Sequence, residues 1–196
     1  MDWDLHHDRR EGEENRQGEQ HPKLMRFTSR EAPLLESFLN PNLRNALCYD
    51  RLAGYYSSSV LEVAGEAIES VQDKVRVICN SQVEPEDVKI ARLVEQKLLR
   101  EFKSANMEQY LPQMQNRFRK LYDLLSAGKL LIKVVPEKVY GLAHGKAGVI
   151  TRKDGSKIAF LGSMNETRPG WSGNYELLWA DESPESVEWT QNEFDH

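Results

Sequence analysis

Two short segments in the second half of the chain carry side chains that can handle a phosphate. His144 and Lys146 stand two apart in Leu142-Ala143-His144-Gly145-Lys146. Along an extended chain alternate residues share a side, so the imidazole and the ammonium point one way and Gly145 the other. Further on, the apolar run Lys157 to Leu161 ends in Gly162-Ser163-Met164-Asn165. If that run returns antiparallel beside residues 147–150, its end comes back to His144 and Lys146 and adds a hydroxyl and a carboxamide. Lysine neutralises phosphate charge, Asn and Ser donate hydrogen bonds to its oxygens, and an imidazole can attack phosphorus. Such a set needs no metal and no other cofactor. Of the five histidines, His6, His7 and His21 lie in the first 22 residues and His196 is the last residue, which leaves His144 alone in the body of the chain. The plainer alternative is a histidine that caps a strand end and a Gly162-Ser163 pair that merely turns the chain.

The elements that would hold these residues alternate between extended and helical patterns. Leu34, Leu35, Phe38 and Leu39, then Leu43, Ala46 and Leu47 past Pro41, space as two short amphipathic helical segments. Arg51 to Tyr56 reads as a buried strand, closed by Ser57-Ser58-Ser59, which can cap a helix from Val60 to about Val71. Val75, Val77 and Ile78 give a second strand ending at Asn80-Ser81, and Pro85-Glu86 opens a long helical region with Val88, Leu93, Leu98, Leu99 and Phe102. Helix continues through Leu111, Met114, Phe118, Leu121, Leu124 and Leu125 to Gly128, a C′ candidate, before the strand Leu130 to Val135. Residues 146–150 and 157–161 form a hairpin about Asp154-Gly155, Tyr175 to Trp179 is a further strand, and Ser183-Pro184-Glu185 starts a last helix. Glu193 to His196 shows no C-cap signal, so either that helix frays or the chain continues. The alternation predicts an α/β layered domain whose sheet is parallel or mixed and flanked by helices.

With 196 residues, 39% of them apolar, the chain is long enough for one domain with its own core. Residues 1–22 hold seven acids against three arginines and almost no aliphatic residue, which predicts a flexible charged tail, so the domain is expected over 23–196. No long apolar run and no secretory signal is visible, which predicts a soluble cytoplasmic protein with no membrane contact. Cys48 and Cys79 sit beside apolar neighbours and read as two buried reduced thiols. The net charge of −5 is unevenly spread. Between Arg117 and Arg168 eleven basic residues face four acidic ones, whereas after Gly170 come seven acids and no base. The basic stretch is either a solvated surface or the footprint of a polyanion.

His144-Gly145-Lys146 followed by Gly162-Ser163-Met164-Asn165 resembles the HxK…GSxN signature of the phospholipase D superfamily, which embraces phospholipases, bacterial endonucleases and restriction-type nucleases. A Glu about ten residues past the Asn also fits, here Glu176 in Asn174-Tyr175-Glu176. Leu52 to Ser58 and Gly170 to Glu176 are similar to phospholipase D-like domains of prokaryotic nucleases, including those attached to helicases of phage-defence systems. The resemblance covers residues 28–196 and is strongest over 140–180. In one departure, the superfamily's Asp downstream of the Lys is Thr151 here, which weakens the lipase reading more than the nuclease one; Asp154, in the predicted turn, is a poor substitute.

The resemblance implies a phospholipase D-like α/β domain in which His144 is the nucleophile and passes through a phosphohistidine. Lys146 and Asn165 would hold the non-bridging oxygens, Ser163 would assist, and Glu176 would orient the second nitrogen of the imidazole. The family's reaction uses two histidines and this chain has one HxK copy, so a two-fold homodimer sharing one site is implied. Trp171 and the Tyr55/Tyr56 pair would line the mouth or lie in the core. Lys138, Arg152, Lys153, Lys157 and Arg168 would follow a nucleic-acid backbone, DNA first. A metal-independent DNA endonuclease of a restriction or phage-defence type follows, with a helicase as a possible partner or fusion. Two rivals remain: a non-catalytic DNA-binding module of a helicase assembly, and a phospholipase or small phosphodiester hydrolase.

Overall fold

The computed structural model describes residues 24–80, 83–101, 116–136 and 144–196. Its strands are β1 (Met25–Thr28), β2 (Cys48–Ala53), β3 (Lys74–Asn80), β4 (Leu130–Val135), β5 (Ala147–Thr151), β6 (Lys157–Gly162) and β7 (Leu177–Asp181). They form one sheet in the order β1-β7-β6-β5-β2-β3-β4. β2, β3 and β4 run parallel, as helical crossovers require, and β2, β5, β6, β7 and β1 are antiparallel neighbours. The sheet is therefore mixed and flanked by helices, as expected. The proposed tail, Lys138, Ser81, Phe102, Leu111 and Met114 lie outside the described residues.

Strand alternation decides which side chains enter the core. Tyr49, Val75, Val77, Ile150, Ile158, Phe160, Leu178 and Ala180 share one face and are buried. A π-helical turn Leu35–Leu39, α1 (Asn40–Leu43), α2 (Leu61–Ser70) and α4 (Asn116–Ser126) cover that face through Phe38, Leu43, Leu61, Ala64, Ile68 and Leu121. Phe38 meets Phe160 edge-on with ring centroids 5.1 Å apart. α3 (Pro85–Glu101) turns Ile90 and Val94 inward, and Val88, expected on its apolar side, is exposed. α5 (Arg168–Ser172) is short, and α6 (Pro184–Asp195) crosses the opposite face over β2, β5 and β6. There Arg76 bridges Asp50 (2.6 Å) and Asp195 (3.5 Å).

Several boundaries differ from the sequence expectation, each for a local reason. β2 starts at Cys48 and stops at Ala53; Gly54 leaves the ladder and Tyr56 makes only isolated bridges to Val83 and Glu166. β7 begins at Leu177, because the Ser163 hydroxyl accepts the Leu177 N–H where a ladder partner would. The hairpin loop has five residues, Arg152 to Ser156, with Gly155 at φ +84°. β1 had no sequence signal: its four residues form a short edge strand that borrows its register from β7. The expected caps are found, with Ser57 accepting from Ser59 N–H, Ser183 from Ser186 N–H, and Gly128 at φ +64° after α4. Cys79 is buried and Cys48 partly so; both are free, and burial pushes the Cys79 thiol up to about 11, which makes it inert.

Candidate active site

The site forms where three neighbouring strands end. His144 and Lys146 directly precede β5, Gly162 to Asn165 leave β6, and Gly54 and Tyr55 leave β2. The β5–β6 ladder is extended by one rung, Gly162 N–H to Lys146 carbonyl at 3.0 Å, so the two motifs arrive together. Gly54 marks their meeting point: a methyl placed on its Cα would lie 3.1 Å from His144 Nδ1, Lys146 Nζ and Asn165 Oδ1 alike. Imidazole, ammonium and carboxamide thus converge on bare backbone at Gly54, closer than a methyl group there would comfortably allow.

Hydrogen bonds orient each group. Lys146 Nζ lies 2.9 Å from His144 Nε2 and 3.2 Å from the His144 carbonyl. An ammonium can only donate, so in this contact Nε2 is the acceptor. Asn165 Oδ1 accepts the Tyr55 N–H at 3.0 Å, which leaves the carboxamide NH2 as the donor for a ligand. Ser163 donates its hydroxyl proton to the Glu176 carboxylate and accepts the Leu177 N–H at 3.1 Å. Glu176 is buried; Asn174 Nδ2 donates to it at 3.3 Å, and its own N–H reaches Ser29 Oγ at 2.8 Å. Ser163 and Glu176 are therefore engaged with each other, and the hydrogen bonds of the Glu176 carboxylate go to Ser163 and Asn174, with none to His144.

Burial lowers the pKa of Lys146, the nearby Arg51 cation lowers it further, and Glu176 opposes both. Lysine must be protonated to hold a phosphate, so activity is lost as pH rises through this lowered value. The alkaline limb of kcat/KM against pH is expected below the ordinary lysine range, and to move upward in a Lys146→Arg variant that retains activity. An alkaline limb at the ordinary lysine value would contradict the environment described.

The close approach of these three side chains to Gly54 has its own expected outcome. Gly54 has no positive φ, so alanine suits the backbone, but its methyl would occupy the space between the three polar groups. Gly54→Ala is expected to fold normally and to lose about 10²-fold in kcat/KM, the scale of a 1 Å misplacement of reacting groups. Steady-state kinetics beside thermal melting checks this, and wild-type kinetics would place the substrate elsewhere.

The structure corrects the expected basic track. Arg152, Lys153 and Lys157 sit at the far end of the β5–β6 hairpin, five residues or about 17 Å along the strand from Lys146. Arg152 is bound to Asn42, Ser156 and Glu182, and Arg168 pairs with Glu62 at 3.0 Å. The basic surplus is local in sequence but not in space. Trp171 and Tyr56 are core residues, whereas Tyr55 is half-buried and serves the site through its main chain. Asp154 bonds Ser156 within the hairpin loop and Thr151 lies at the same remote end, so neither reaches the site.

Sequence reasoning missed Gly54, Arg51 and Glu166. Their signals were faint: a glycine directly after a strand, and one arginine among apolar strand positions. No cluster of His, Cys, Asp and Glu suited to a metal occurs among the described residues. No helix among them is long and apolar enough to cross a membrane.

Comparison with known proteins finds similarity in sequence family and in fold. The family model described as "Cardiolipin synthase, PLD-like domain" matches residues 51–196. Nuc from Salmonella typhimurium, a phospholipase D family member, superposes with a TM-score of 0.50 at 13% identity over 89% of this chain and 93% of that one. A variant of yeast tyrosyl-DNA phosphodiesterase gives 0.51 at 11% identity over 81% of this chain, which spans only 31% of the yeast protein. NucT from Helicobacter pylori gives 0.49 at 19% identity over 89% of this chain and 94% of that one. No curated protein matches the sequence.

Proposed function

The chain belongs to the PLD-like domain family of the phospholipase D superfamily, and from that premise we propose that it is a metal-independent phosphodiesterase acting on DNA. The observation that carries this reading is the meeting of the His144, Lys146 and Asn165 side chains against Gly54, where each brings an atom within 3.1 Å of the position a Cβ would take, with Lys146 Nζ 2.9 Å from His144 Nε2. Lys146 turns its Nζ protons from His144 Nε2 to a non-bridging oxygen of a phosphodiester, the Asn165 NH2 donates to another, and the freed Nε2 lone pair attacks phosphorus. The Nε2–P bond forms as the P–O bond to the leaving group breaks, and that oxygen takes a proton from a second imidazole. The same imidazole then accepts a proton from water, whose oxygen displaces His144 and releases the phosphate product. Glu176 keeps negative charge near Lys146 and holds Ser163 in place.

The second imidazole, in this proposal, is His144 of the partner subunit in a two-fold dimer. One surface favours such a dimer. Leu161 and Trp179 are paired across β6 and β7 on the sheet face opposite the core, and they are 46% and 56% exposed. Leu177, Leu24 and the α6 residue Trp189 are also exposed. Large apolar side chains in water on one face mark an interaction site, and this row ends two residues from Ser163.

DNA is the substrate proposed because a protein named for a DNA phosphodiester shares this fold, and a role in restriction or phage defence, with a helicase partner, extends the proposal. The test is turnover: plasmid DNA incubated with the protein in EDTA is expected to be nicked or cut. DNA bound but never cut would leave a binding module, and hydrolysis of phosphatidyl lipid in place of DNA would leave a phospholipase.

A further inference from the structure

Arg51 occupies the middle of β2, between the core positions Tyr49 and Ala53 on the same face. It is 0% exposed, and a charge so placed must be paired and fully hydrogen-bonded. Its Nε donates to Glu166 Oε2 at 3.0 Å, Nη1 to the Ala147 carbonyl at 3.2 Å and Nη2 to the Met164 carbonyl at 2.5 Å. Glu166, 1% exposed, accepts on the same oxygen from Tyr49 OH at 3.1 Å and Trp171 Nε1 at 3.0 Å. Burial first, then the Glu166 charge, pushes the Tyr49 hydroxyl well above its ordinary pKa, so it stays a donor. The Glu166 main chain continues the tie, its N–H to the Tyr55 carbonyl and its carbonyl to the Ser57 N–H, both at 3.1 Å.

Ala147 and Met164 are the residues next to Lys146 and Asn165. We propose that Arg51 and Glu166 are positioning residues: one buried guanidinium, clamped by one carboxylate, sets the separation of Lys146 and Asn165 by holding the main chain beside each. This rests on the phosphodiesterase reading of the site. A buried ion pair is commonly replaceable by apolar side chains without loss of stability, so stability alone does not account for it. What apolar side chains lack is a rigid planar fork aimed at two carbonyls, one at the start of β5 and one on the segment that leaves β6. Phe160 and Trp171 rings, 5.2 and 5.6 Å from the guanidinium carbon, hold that plane. Neither residue reaches substrate, so both act through Lys146 and Asn165.

The experiment compares wild type, Glu166→Gln and Arg51→Lys by thermal melting and by steady-state cleavage of bis(p-nitrophenyl) phosphate and DNA in EDTA. Glutamine keeps the size and one acceptor oxygen but removes the charge; lysine keeps the charge but removes the fork. Both variants are expected to melt cooperatively, with kcat lowered about 30- to 100-fold and KM within threefold of wild type, since misplaced groups lose the transition state first. A fold determinant without a positioning role would leave kcat unchanged in whatever fraction stays folded. Values of kcat within threefold of wild type in both variants overturn the proposal alone, as does failure of both to fold. A wild type that cuts no diester overturns the phosphodiesterase reading and this proposal with it.

Discussion

His144→Asn is expected to lose phosphodiester cleavage by at least about 10⁴-fold in kcat, because a missing nucleophile removes the covalent route altogether. The side chain is exposed, its described partners are the neighbouring Lys146 ammonium and the Gly54 wall, and it supports no core contact. Its loss should therefore leave the melting transition unchanged. Lys146 and Asn165 remain to hold a phosphate, so DNA binding should persist within a few-fold. Two measurements check this: plasmid cleavage in EDTA, and gel-shift binding with the same preparation. The intermediate gives a third readout, since wild type mixed with labelled diester and quenched in base should carry acid-labile label on the protein, and His144→Asn none. Retained cleavage in the variant would remove His144 from the chemistry and return it to the role of a strand-end cap.

Trp179→Asp is expected to dissociate the dimer and to lower kcat/KM by about 10²- to 10⁴-fold, the range a general acid contributes. Trp179 is 56% exposed, the Arg26 guanidinium lies 5.8 Å over its ring, and it faces away from the core, so the substitution costs the isolated subunit little. A carboxylate centred in the apolar row with Leu161 and Leu177 would be desolvated against its own symmetry copy, which an isologous interface cannot tolerate. Light scattering and cleavage at matched concentrations read both effects. A monomeric Trp179→Asp protein with wild-type turnover would end the shared-site proposal, and so would a wild type that is monomeric and fully active.

Much of the site was legible because its logic is local. The two-residue spacing of His144 and Lys146, and the hairpin from Lys146 to Gly162, need only strand periodicity and an antiparallel return, and both motifs end at the same rung. Caps at Ser57, Gly128 and Ser183 are legible for the same reason: a side chain or a φ value serves its own neighbours. The basic stretch misled, since five residues of strand carry Arg152 and Lys157 to the opposite end of the sheet although they are near His144 in sequence. Glu176 was expected to orient the imidazole, whereas its carboxylate is bonded to Ser163 and Asn174, partners that no local spacing announces.

From residue order alone came the alternation of strands and helices, the hairpin, and the identity of the polar groups that meet above Gly54. Folding in three dimensions decided that the polar groups meet against Gly54, that Arg51 and Glu166 join across more than a hundred residues, and that Trp179 and Leu161 lie outside the subunit's own core. Periodicity and capping act within a few residues and are written in the local chain. The pairing of a buried charge, and the face of a strand that remains uncovered, depend on which distant segments pack together.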